Sequence, residues 1–269
     1  MEERAPLLAG IHYAPGWRTI LANRIGTSWP QRPVNGPYDA IVVGSGIGGL
    51  GAAAILARRR GLRVLVLERH YTAGGFTHTF ERDGFEWDVG VHYVGGGTGR
   101  GGAVGRLFDY VTDGQLRWAP MPDVYDRIVI GDREFDLVAG EQRFVDGLAA
   151  AFPSERKGIA AYVTQVKACA RSAGPYFASR VLPPWVASLL GGAMRRGFLH
   201  HARRTTGEVI ASHVRDPVLR AVLAGQYGDY GLPPSLSSFG NHALVAHHYL
   251  NGAAYPVGGS SRIAATLLP

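Results

Sequence analysis

The feature that most constrains this chain is a glycine-rich turn set between two short apolar runs. Tyr38-Asp39-Ala40-Ile41-Val42-Val43 leads into Gly44-Ser45-Gly46-Ile47-Gly48-Gly49, and a small-residue segment through Ala52, Ala53 and Ala54 continues to Arg60. Arg63-Val64-Leu65-Val66-Leu67 then closes on Glu68. The runs read as parallel strands covered on both faces. The segment between them reads as a helix with Arg58, Arg59 and Arg60 complementing the dipole in its last turn and Gly61 as its cap. In that order the parts form a βαβ unit of the dinucleotide-binding type. Gly44 permits the tight turn, Gly46 lets the backbone approach a pyrophosphate, and Gly49 lets the helix pack closely on the sheet. Phosphates would rest on the exposed amides at the helix start. Glu68, 24 positions after Gly44, stands at the end of the second strand, where a carboxylate accepts from a ribose. A glycine-rich turn without a ligand is the competing reading, and the presence of strand, helix and terminal acid together disfavours it.

Charge narrows the partners. The 28 basic against 21 acidic residues leave a formal +7, almost wholly from arginine, since Lys157 and Lys167 are the only lysines. The arginines are dispersed and no run exceeds Arg58-Arg59-Arg60, so nucleic acid is not expected. Cys169 is the only cysteine, which excludes an intrachain disulfide, a CxxC redox pair and a cysteine zinc site. From Met1-Glu2-Glu3-Arg4 no signal peptide is expected. Val181 to Met194 falls short of the ~20 residues needed to span a bilayer. The expected location is cytoplasmic or peripheral on the cytoplasmic face of a membrane; the oligomeric state is not legible.

Along the chain, 1–36 reads as an irregular arm with Pro6, Pro15, Pro30 and Pro33. Residues 37–100 hold the βαβ core and a following hairpin, 101–250 a substrate region with helices, and 251–269 an incomplete return toward the nucleotide domain. Phe76 to Glu81 and Phe85 to Val91 alternate around Arg82-Asp83-Gly84, predicting an antiparallel hairpin. A second is predicted from Arg127-Ile130 and Arg133-Val138 around Gly131-Asp132. Pro153-Ser154-Glu155 predicts a helix with Ser154 as N-cap and Ile159, Tyr162, Val163, Val166 and Ala170 on one face; another helix is predicted over Thr206 to Leu223. The fold class is α/β: a Rossmann-like parallel sheet with an inserted antiparallel-β and helical domain.

Past Glu68 the chain reads Arg69-His70-Tyr71-Thr72-Ala73-Gly74-Gly75-Phe76-Thr77. A glycine pair a few residues beyond the ribose acid resembles the extended FAD signature of the amine oxidase and phytoene desaturase superfamily, although Phe76 stands where many members carry a basic residue. The resemblance narrows at Phe85-Glu86-Trp87-Asp88-Val89-Gly90-Val91-His92-Tyr93, at Gly228-Asp229-Tyr230-Gly231-Leu232-Pro233-Pro234, at Ala246-His247-His248-Tyr249 and at Tyr255-Pro256-Val257-Gly258-Gly259-Ser260-Ser261-Arg262. Together these look like the retinol saturase branch, near the carotenoid isomerases. The resemblance implies an FAD-dependent oxidoreductase acting on an isoprenoid polyene, with NAD(P)H as a possible reductant. It implies cofactor contacts from Gly44, Ser45, Gly46, Gly48, Gly49, Glu68, Arg69, Gly74, Gly75, Gly90, Val91 and His92. It also implies that the chain ends before the C-terminal part that completes the flavin site in the family. Saturase, desaturase and isomerase would use almost the same residues, and an inactive FAD-binding fragment is the reading of another class.

No catalytic residue is singled out. For His92 a structural hydrogen-bonding role outweighs a role near the flavin ring, and for Asp88 a turn-stabilising carboxylate is the simpler account. The pairs His200-His201 and His247-His248 lack an acidic partner at ligand spacing, so no metal site is expected. Gly258-Gly259-Ser260-Ser261-Arg262 lacks the last glycine of a nucleophile elbow. The stretch from about 175 to 199, with Tyr176, Phe177, Trp185, Leu189, Leu190 and Met194 beside Arg195-Arg196, suits either a membrane interface or a buried substrate-tunnel helix.

Overall fold

The computed structural model describes residues 24–28, 34, 36–98 and 102–268. The arm expected over 1–36 lies almost wholly outside them, as does Pro269. In chain order the elements are β1 (Ala40–Val43), α1 (Ile47–Arg60), β2 (Val64–Leu67), β3 (Thr79–Arg82), β4 (Phe85–Asp88), α2 (Ala103–Thr112), β5 (Trp118–Pro120), β6 (Val124–Ile130) and β7 (Arg133–Val138). There follow α3 (Glu141–Ala151), α4 (Arg156–Ala178), α5 (Pro184–Ala202), α6 (Thr206–His213), α7 (Pro217–Ala224), α8 (Phe239–Tyr249), β8 (Ala254–Pro256) and α9 (Ser261–Ala265).

The chain divides into two compact units: one from 1–93, 105–119 and 255–269, the other from 94–104 and 120–254. The interval 101–250 is thus interrupted, because 105–119 cluster with the βαβ core.

In the first unit β1 and β2 pair in parallel, Ala40 opposite Val64 through Val43 opposite Leu67. Helix α1 crosses between them, burying Leu50, Ala53 and Ala54 and ending at Gly61 in the left-handed region (φ 64°). The expectation of strands covered on both faces does not hold. Among the described residues β1 pairs only with β2, and Ile41 and Val43 are 60% and 83% exposed. The first hairpin is present but starts later than its alternation suggests. Gly75–Thr77 form a 3-10 turn, so β3 begins at Thr79 and meets β4 through Asp83 (φ 54°) and Gly84 (φ 79°), as a two-residue turn of the primed type requires. Helix α9 packs against α1 and the Gly75–Thr77 turn, closing the unit with the C-terminal segment.

In the second unit β6 and β7 form the second hairpin, and α3 covers β7. Helix α4 is its spine: Ile159, Tyr162, Val163, Val166, Cys169 and Ala173 are buried at helical spacing. Cys169 rather than Ala170 continues the buried stripe, Ala170 being half-buried. Ser154 is not the N-cap. Pro153–Glu155 form a 3-10 turn, α4 starts at Arg156, and Glu155 Oε1 instead accepts the amides of Arg215 and Asp216 at 2.9 and 2.8 Å. The helix expected over 206–223 is two helices. Pro217 cannot donate its amide into a continuing helix. It opens α7 instead, with Asp216 as N-cap accepting from Val218 and Leu219. Helix α6 carries a capping box of Thr205 and Glu208.

Candidate functional site

The site grows from the turn after β1. Gly44 takes φ 99°, a conformation that L side chains rarely adopt. The N-cap of α1, Gly46, is extended and supplies no side-chain cap, so the first-turn amides stay available to an anion. A Cβ on Gly49 would run into the carbonyl oxygen of Gly44, so the contact between helix and turn depends on glycine there. Gly48 lies exposed in the same first turn.

Ser45 ties this turn to two distant segments. Its amide donates to Glu68 Oε2 at 2.8 Å and its hydroxyl to the same oxygen at 2.6 Å. The amide of His70 donates to Glu68 Oε1 at 2.8 Å. The Ser45 hydroxyl and these backbone amides, with that of Arg69, hold the Glu68 carboxyl near pKa 2, below its ordinary value of 4.5, outweighing its partial desolvation. Glu68 therefore stands ionised and oriented at the end of β2. The Arg69 side chain is exposed.

The glycine pair closes on the same turn. Gly74 donates its amide to the Ser45 carbonyl at 3.1 Å, lies 3.2 Å from the Ser45 hydroxyl, and forms a parallel bridge with Gly46. Gly75 has φ 55°, and a Cβ there would lie 2.9 Å from Gly46 Cα. The fold thus brings Gly44, Ser45, Gly46, Gly49, Glu68, Gly74 and Gly75 into one cradle. Gly90 and Val91 lie one layer behind. Val91 donates to the Phe76 carbonyl at 3.1 Å, and a Cβ on Gly90 would press on the Phe76 side chain. His92 is exposed and packs its ring 4.5 Å from that of Tyr93.

Several residues of this unit carry roles that sequence reasoning missed. Tyr255 donates its hydroxyl to Asp88 Oδ2, so Asp88 anchors a distant segment rather than its own turn. Burial, with Asp88 beside it, pushes the Tyr255 hydroxyl up to about 12. Ser260 donates to the Thr77 carbonyl at 3.1 Å, and Thr77 donates to the Gly74 carbonyl at 2.9 Å. The Tyr-Pro-x-Gly-Gly segment was visible as a motif, but not its attachment to the back of the glycine pair.

In the second unit His248 Nε2 accepts the Gly95 amide at 2.8 Å. Buried His242 lies 2.7 Å from the Tyr162 hydroxyl and 3.0 Å from that of Tyr230, with its pKa lowered by burial to about 4. Among the described residues no group of three or more histidine, cysteine or acidic side chains is placed to hold a metal, and no helix is long and apolar enough to cross a membrane.

Fold and cradle are those of a Rossmann-like domain of the dinucleotide-binding type. The family model for the NAD(P)-binding Rossmann-like domain matches residues 42–111. Solved structures agree on the fold. Cyclohexylamine oxidase from Brevibacterium oxydans superposes with a TM-score of 0.54 at 16% identity, over 86% of this chain and 49% of that one. Putrescine oxidase bound to putrescine gives 0.51 at 17%, over 86% and 48%.

Within that class the chain is a sequence relative of the all-trans-retinol 13,14-reductases and, at lower identity, of the prolycopene isomerases, as its motifs implied. It is 41% identical over 240 residues to all-trans-retinol 13,14-reductase of Macaca fascicularis, covering 86% of this chain and 39% of that protein. It is 29% identical over 247 residues to the chloroplastic prolycopene isomerase of Arabidopsis thaliana, covering 86% and 40%. The chain spans about two fifths of the length of these relatives.

Proposed function

We propose that the chain binds FAD in the cradle of Gly44 to Gly49, Glu68, Gly74 and Gly75 and serves an oxidoreductase that reduces one carbon–carbon double bond of an isoprenoid polyene. The observation that carries the reading is the convergence of both glycine segments and an oriented carboxylate on the start of α1. The amides of the Gly44–Gly49 turn and the α1 dipole would hold the pyrophosphate, and Glu68 would accept from the adenosine ribose. Gly74 and Gly75 let their segment close on Gly46, and the preference for FAD over a nicotinamide dinucleotide rests on the likeness of this glycine pair to the extended FAD signature. When bound, the flavin supplies the hydride chemistry, and the protein's share is to bind, orient and exclude water. The polyene comes from the names of the relatives, and NAD(P)H is proposed as the electron source. Desaturation and isomerisation remain alternative outcomes on the same site.

A second reading is a chain that binds FAD without turnover. A Danio rerio relative 34% identical over 236 residues, covering 84% of this chain and 38% of that protein, is named an inactive all-trans-retinol 13,14-reductase.

The test is to incubate the purified chain with FAD or NADH, remove free ligand, and record the visible spectrum. All-trans-retinol and a reductant are then added and the products separated. Retained flavin with a saturated product supports the main reading. Retained flavin without product supports the second, and a colourless protein that ignores FAD overturns both. Gly49→Ala forces a Cβ against the Gly44 carbonyl at a strain of roughly 1–3 kcal/mol. It should weaken FAD retention by about tenfold or more.

A further inference from the structure

We infer that the C-terminal end of α4, the turn after it and α5 as far as Arg196 form a docking face for an anionic membrane surface. Two independent observations meet there.

The first is exposure. Helix α5 is held by its C-terminal half: the Phe198 ring lies 4.8 Å from that of Tyr176, Gly197 faces Ser172, and Gln165 reaches His201 at 3.1 Å. Its N-terminal half is not held in this way. Phe177, Val181, Trp185 and Leu189 are 54%, 84%, 70% and 75% exposed, and Leu190 is exposed beside them. These are five large apolar side chains within 14 residues of sequence, where exposed apolar residues are normally scattered singly. Trp185 and Leu189 lie four apart and so share a helix face, which is the face of an interfacial helix and not the lining of a buried tunnel.

The second is charge. From Arg156 to Gly207 there is no aspartate or glutamate, while the segment carries nine lysines and arginines. That is +9 in 52 residues against +7 for the whole chain, so the rest of the sequence nets −2. Arg156 and Lys167 pair with Asp146 and Glu141 outside the segment. Among the described residues Arg171, Arg180, Arg195 and Arg196 enter no salt bridge, and Arg180 lies over the Tyr176 ring at 5.4 Å. Arg195 and Arg196 follow Leu189 by six and seven residues, about 9–10 Å along a helix. With the helix lying in the interface plane and Trp185 and Leu189 sunk ~5–10 Å into the acyl boundary, these two guanidinium groups lie further along the same helix, within reach of the lipid phosphates. An acidic protein partner would leave the apolar cluster unmatched, and a neutral apolar one would leave the arginines unmatched. An anionic lipid surface answers both. The inference does not depend on flavin binding.

The test is co-sedimentation of the full 269-residue chain with phosphatidylcholine vesicles, with and without 30% phosphatidylglycerol. At low salt the chain should pellet with the anionic vesicles, and 0.5 M NaCl should release most of it. Trp185→Glu with Leu189→Glu should abolish binding. Arg195→Gln and Arg196→Gln should each weaken it about fivefold on anionic vesicles only. Trp185, Leu189 and Arg196 are exposed and Arg195 is half-buried, and an unchanged circular dichroism melt would confirm that the variants fold. Recovery in the supernatant at low salt, or binding that survives both glutamates, overturns the inference. So does a dimer in sedimentation velocity that Trp185→Glu turns to monomer without change in vesicle binding, because a second copy then covers the face.

Discussion

At the scale of single residues, Glu68 is the group whose chemistry the fold has altered most usefully. Its pKa in the folded chain is about 2 against an ordinary 4.5. A carboxylate depressed in the fold stabilises it fully above the unfolded value, and that contribution is lost as pH falls through the folded one. Thermal melts of wild type and Glu68→Gln should therefore differ most above about pH 4.5, and the gap should close as pH approaches 2. A gap independent of pH would show that the ionisation of Glu68 is not what stabilises the fold there. The position of Glu68 was legible because a fixed strand–turn–helix–strand length places it. Its partners were not. Ser45 is 1% exposed and serves as the shared post for Glu68 and Gly74, yet in sequence it is merely the residue between two glycines.

At the scale of elements, turns set by backbone conformation read well, while a helix start, a helix break and long-range attachments did not. The Asp83-Gly84 turn and the Gly61 cap are dictated by backbone conformations that glycine, or an acid in a left-handed turn, supplies cheaply. The interrupted helix at 206–223 was missed although Pro217 stood in view, because apolar periodicity runs through a break that Asp216 and Pro217 make. The attachment of Tyr255 to Asp88 spans 167 positions and leaves no periodic trace. That bond and the Ser260 bond fasten α9 and its leading turn to the strand and the 3-10 turn behind the glycine pair. Tyr255→Phe should cost about 1.5 kcal/mol, the low end for a bond to a carboxylate because both groups are only half-buried. The melting midpoint should fall by a few degrees. If the segment positions Gly74 and Gly75 as argued, FAD retention should fall with it; a lowered midpoint with full retention would assign Tyr255 to stability alone.

At the scale of the whole molecule, the chain separates into two compact units, with the glycine turn in one and the long helices in the other. What no composition revealed was how the first unit leaves β1. A strand of Ala40, Ile41, Val42 and Val43 pairs on one side only among the described residues, with Ile41 and Val43 turned outward. An unprotected strand of β-branched residues is a template: it offers a row of backbone donors and acceptors to any other extended chain. The isolated polypeptide should accordingly be limited in the test tube by concentration and time as well as by heat, with the βαβ core itself nucleating assemblies. Ile41→Lys places a charge on that surface three residues short of the glycine turn, and should raise the concentration at which light scattering begins while leaving flavin uptake intact. Unchanged scattering would move the origin of self-association away from β1.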